Sequence, residues 1–93
     1  MFLQIQKHRE RIAEVEYEVA KLEIKILGMK DNIAGRLKMK EENEKHKFPW
    51  RPEYQLGVEQ AELQIAIYEA EKAKFINEIK FLRLMLEDLL KQE

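Results

Sequence analysis

The chain has no cysteine, no serine and no threonine, and its 93 residues include only 3 Gly and 2 Pro. Without thiols there is no disulfide framework, thiolate metal site or cysteine nucleophile. Without side-chain hydroxyls of the Ser and Thr type, the usual acyl-transfer nucleophiles are missing as well. Three glycines scattered over 30 residues form no phosphate-binding loop. So few turn residues also exclude a sheet protein, which needs Gly, Pro, Asn or Asp at short intervals. No apolar run approaches the roughly 18 residues of a membrane span. Met1-Phe2-Leu3 is followed at once by polar and basic residues, which points away from a secretory leader and toward a cytoplasmic protein. A formal charge of −1 marks the whole chain as neither a basic nucleic-acid binder nor an acidic mimic.

What remains is long-helix composition: 38% charged and 45% hydrophobic residues. Pro49 and Pro52 are the only helix breakers of their kind, and each pushes the preceding residue out of helical geometry. They divide the chain into a helix over about 4–44, a turn over about 45–53 and a helix over about 54–92. The short break implies an antiparallel pair in one helical-hairpin domain, 1–93. Pro52 suits the first turn of the second helix, with Glu53 near its positive end.

Each arm carries a strict 3-4 apolar spacing. In the first it runs Ile5, His8, Ile12, Val15, Val19, Leu22, Ile26, Met29, Ile33, Arg36. In the second it runs Val58, Ala61, Ile65, Tyr68, Lys72, Phe75, Ile79, Leu82, Leu86, Leu89. Four or more unbroken heptads predict coiled-coil packing of two arms, each about 60 Å long at ~1.5 Å per residue. The predicted fold is therefore all-α: an antiparallel hairpin of two long helices. Two registers satisfy the seams, with facing residue numbers totalling 94 or 101. The first pairs Ile5 with Leu89, Val15 with Ile79 and Ile26 with Tyr68. It is preferred because it leaves Arg36 and Lys40 near the turn, within reach of water. Gly28 followed by Asp31-Asn32 reads either as a helix stop and restart or as part of one continuous helix. Continuity is favoured because Met29 and Ile33 keep the phase of Ile26.

A hairpin of this size buries only roughly 60% of its unfolded surface, and its single seam leaves many apolar residues unused. Ala13, Ala20, Leu27 and Ala34 recur every seven residues on the first arm, flanked by Gly28 and Gly35. Leu63, Ala66, Ile67, Ala70, Ala73, Phe81 and Leu84 lie roughly opposite the seam of the second. Alanine alone is explained by helix propensity; Leu27, Ile67, Phe81 and Leu84 are not. These residues predict self-association, most simply a dimer forming a four-helix bundle.

The chemistry-bearing residues point to binding. Lys72 at a core a position reads as a register-specifying residue or one that snorkels to the rim; the alternative is an anion held between helices. His8 has no second histidine within helical reach, so no metal site is expected. Paired carboxylates such as Glu14 and Glu18 alternate with cations along outer faces, where no cleft gathers them for acid–base work. No catalytic residue, cofactor or metal is expected. In the turn, Lys47, Trp50 and Arg51 stand among Phe48 and Tyr54. These aromatics either plug the hairpin end or anchor a partner; Phe48 and Tyr54 are assigned to the plug, and Trp50 and Arg51 to the outward contact pair, with Lys47 beside them.

Two families of helical chains share parts of this pattern. Hairpins of the WXG100 type carry W-x-G between their helices, but the turn here is Trp50-Arg51-Pro52. All-helical chorismate mutases need convergent inward arginines, whereas the seam from Ile12 to Ile33 is apolar. The chain is assigned to neither. The expected function is non-enzymatic protein–protein binding, as adaptor, assembly factor or inhibitor, in the style of phage or mobile-element accessory proteins. The alternative is a nucleic-acid or nucleotide binder using the basic-aromatic turn or cations between associated hairpins.

Overall fold

The computed structural model describes residues 2–92 and contains two helices, α1 (Phe2–Lys45) and α2 (Pro52–Lys91), packed as an antiparallel hairpin. No strand occurs among the described residues. Helix α1 runs unbroken through Gly28-Met29-Lys30-Asp31-Asn32, because the apolar phase on either side is the same and burial on the seam outweighs the low propensity of a glycine.

The end of α1 is built by a Schellman cap. Lys47 adopts φ 60°, the left-handed conformation, and is the only described non-glycine residue to do so. The Phe48 N–H then reaches back to the Asn43 carbonyl at 2.7 Å and the Lys47 N–H to Glu44 at 3.2 Å, satisfying two otherwise orphaned carbonyls. Pro49 follows, unable to continue a helix. The Arg51 carbonyl accepts from the Tyr54 and Gln55 N–H groups at 3.0 and 3.4 Å, which makes Arg51 the N-cap and Pro52 the first helical residue. The link is thus shorter than the expected 45–53, since the cap and Pro52 both carry helical geometry toward it.

The chain gathers into two compact units. One comprises residues 2–23 against residues 70–92. Its core is Ile5, Val15, Leu22 and Ile79, with Val15 completely excluded from solvent. Ile12, Val19, Phe75, Leu82, Leu86 and Leu89 are half-buried beside them. Ion pairs flank this seam: Arg11 Nε donates to Glu78 Oε1 at 2.8 Å, and Arg83 Nη2 to Glu16 Oε1 at 2.8 Å. The two pairs lie symmetrically on either side of the register in which facing numbers total 94. The hydrogen bond that Arg11 donates to Glu78 raises the Arg11 pKa above its ordinary value, and the carboxylate of Glu18 does the same for Lys21. Such exposed pairs define register more than they stabilise. Lys72 snorkels as expected: its side chain is 26% exposed and its Nζ lies 3.6 Å from Glu23 Oε1.

The other unit comprises residues 24–69, with Ile26, Val58 and Ala61 buried and Met29, Ile33, Ile65 and Tyr68 half-buried. The Lys25 ammonium sits 5.6 Å from the Tyr68 ring centroid. Arg36 lies across Gly57, one residue from the partner expected in the 94 register and far from Ile65, its partner in the 101 register. The first register is the one adopted.

Candidate ligand pocket and apolar faces

The turn aromatics do not divide as the sequence suggested. Trp50 is half-buried, donating its indole N–H to Gln55 Oε1 at 3.2 Å and packing against Tyr54 with ring centroids 5.3 Å apart. The Lys40 ammonium stands 5.7 Å from its ring. Phe48 is 63% exposed, with the His46 ring centroid 6.2 Å from its own. Trp50 is therefore the half-buried ring of the turn; Tyr54, against it, is 41% exposed and Phe48 is outside, so neither residue assigned to the plug is buried. The cause is the cap: the Phe48 backbone N–H is engaged with Asn43 on the last turn of α1, which holds that residue at the rim. The two following residues bring the indole back to an amide acceptor that a phenyl ring could not use. Lys47 and Arg51 remain exposed, so of the three expected contact residues only Trp50 is turned inward.

Beside Trp50 lies a pocket of about 450 Å³ lined by Asn32, Gly35, Arg36, Met39, Trp50 and Tyr54. A second, of about 330 Å³, is lined by Met29, Asn32, Arg36, Gly57, Gln60, Ala61 and Gln64. Asn32 and Arg36 belong to both. Arg36 donates from Nε to Asn32 Oδ1 at 2.7 Å. A Cβ on Gly57 would stand 2.6 Å from Arg36 Nη1 and 3.2 Å from Cζ, so the guanidinium occupies space that only glycine leaves. No carboxylate lines either pocket, although the chain carries 18 acidic residues. Among the described residues Arg36 forms no ion pair, in contrast to Arg11 and Arg83.

Sequence reasoning missed this site because it placed Arg36 and Lys40 in water at the turn end. Both are half-buried, one across Gly57 and the other over Trp50. The available signal was that Arg36 and Gly57 nearly face each other in the 94 register.

The expected association residues are all solvent-facing. In the unit 2–23/70–92 these are Ala13, Ala20, Ala70, Ala73, Phe81 and Leu84; in the unit 24–69 they are Leu27, Ala34, Leu63, Ala66 and Ile67. They do not all hold one heptad position. Ala13, Ala20, Leu27, Ala34, Ala66 and Ala73 hold position b, which in the unit 2–23/70–92 borders the e positions where Glu16 meets Arg83. Leu63, Ala70 and Leu84 hold f, directly away from the seam, and Ile67 and Phe81 hold c, toward the other edge.

The His8 Nδ1 lies 2.7 Å from the Gln4 carbonyl, and no cluster of potential metal ligands exists among the described residues. No described helix is long and apolar enough to cross a membrane. No protein-family model matches this chain, and neither a curated protein nor a solved structure is found to be similar to it.

Proposed function

We propose that this chain is a non-enzymatic interaction protein that works by protein–protein binding and self-associates through its small-residue b faces. The observation that carries this reading is apolar exposure without a covering element: Leu27 at b is 61% exposed, and Ile24 and Leu63 at f are 70% and 66% exposed. Isolated exposed leucines are ordinary, but large apolar groups recurring on the outer faces of helices support a partner surface. In the unit 2–23/70–92, Ala13, Ala20 and Ala73 border the Glu16–Arg83 side; in the unit 24–69, Leu27, Ala34 and Ala66 occupy the same heptad letter. Small side chains there let another helix approach closely, and a second copy of the hairpin offers the same letters in return. In this reading the protein serves as an adaptor, assembly factor or inhibitor, with the f and c residues left for its target.

The test is sedimentation of the wild type beside Leu27→Glu and Ala73→Glu. Both positions are exposed in the single chain and glutamate is a good helix former, so the hairpin itself tolerates either change within about 0.5 kcal/mol. Wild type is expected to sediment as a dimer or larger at micromolar concentration, with little dependence on salt, and each variant as a monomer of full helicity. A monomeric wild type would overturn the self-association reading.

A further inference from the structure

We propose that the pocket between Arg36 and the Trp50–Tyr54 pair is a binding site for a carboxylate carried on an aromatic or bulky apolar body. The site stands apart from the b faces and does not rest on self-association. At about 450 Å³ the pocket has the volume of small-ligand sites, which combine apolar walls with a few placed polar groups. Here Met39, Trp50 and Tyr54 supply the walls and Arg36 the placed polar group.

The charge pattern selects the ligand. Arginine is the usual cation of half-buried ion pairs, and even the exposed Arg11 and Arg83 each have a carboxylate at 2.8 Å across the hairpin. Arg36 has a neutral amide instead: Asn32 Oδ1 engages Nε and thereby orients the group, while leaving the Nη donors to a planar two-oxygen acceptor. Lys40 is not part of the lining, but its ammonium, 5.7 Å from the Trp50 ring centroid, adds a second positive charge nearby. One guanidinium and one ring-engaged ammonium match a monoanion in an apolar setting better than a phosphate dianion, which draws on more donors.

Two sources fit this chemistry, a free aromatic acid and the C-terminal residue of a protein. For the latter, Gln60 and Gln64 of the adjoining pocket offer amide donors and acceptors to the preceding peptide groups.

Trp50 is the sole tryptophan, so its emission reports on the pocket directly. The full chain is titrated with 3-phenylpropionate and with an acetylated tripeptide ending in Phe, and then with the corresponding amides. At least one acid is expected to shift Trp50 emission saturably, with its amide weaker by about tenfold or more, as for loss of a charged hydrogen-bond pair. Binding of the small acid alone assigns a free metabolite-like acid; binding of the peptide alone assigns a protein C-terminus. Arg36→Gln is expected to weaken the acid by about tenfold or more. Gly57→Ala, whose Cβ would displace the guanidinium without removing it, should weaken it too while retaining the helix. Gly28→Ala, on the same helix as Arg36 but with open space around it, should bind as wild type. No response to either acid up to about 10 mM, an amide binding as tightly as its acid, or full binding by both Arg36→Gln and Gly57→Ala would each overturn the proposal.

Discussion

Replacing Lys47 with glycine should stabilise the hairpin, and the size of the gain follows from the cap. Lys47 is held at φ 60°, where an L-residue brings its Cβ against the following carbonyl at a cost of about 1–2 kcal/mol. Glycine escapes that contact but gains freedom in the unfolded chain, which returns roughly 0.5–1 kcal/mol. The difference is a net stabilisation of about 0.5–1 kcal/mol, or roughly 2–8 °C in melting temperature for a domain of this size. Thermal and urea melts followed by far-ultraviolet circular dichroism, at one fixed protein concentration, measure it. Lys47→Ala is the control: it removes the same charge but keeps the Cβ, and so should change stability by less than about 0.5 kcal/mol. Equal effects of Gly and Ala would refute the reasoning, because the charge and not the backbone conformation would then be responsible. A loss of stability with Gly would mean that Lys47 is not held in the left-handed region at all.

Gly28 and Gly35 have nothing within 4 Å of where a Cβ would sit, so Gly28→Ala and Gly35→Ala should each raise stability by about 0.5–1 kcal/mol in melts; a loss would mean that another chain fills that space. Trp50→Ala should destabilise by about 1–3 kcal/mol and Phe48→Ala by less than about 0.5 kcal/mol, since one ring is packed and hydrogen-bonded and the other is open. Wild-type Trp50 emission should accordingly be blue-shifted relative to free indole, and a fully exposed spectrum would contradict the inward placement.

The hairpin was legible because its information is local and repeated. Every heptad from Ile5 to Ile33 and from Val58 to Leu89 states the same seam, and two prolines three apart state the only break. Register followed too, once a cost was set on placing Arg36 against Ile65. Continuity through Gly28 was readable because a helix restart would have shifted the phase of Ile33. In each case a period set by 3.6 residues per turn turns spacing into position without knowledge of the partner helix.

The turn and the Arg36 pocket could not be read that way. Which aromatic turned inward depended on a left-handed Lys47, a residue type that carries no special preference for that conformation, and on Gln55 standing where the indole N–H needed an acceptor. The Arg36 site depended on the absence of a Cβ on the opposite helix, at a separation of 21 residues. The sequence by itself determined the elements and the seam, because helix periodicity and proline act within a few residues of where they are written. Only the tertiary structure decided which exposed cation became a half-buried one, because that rests on the space between two helices, to which each contributes side chains the other's pattern does not record.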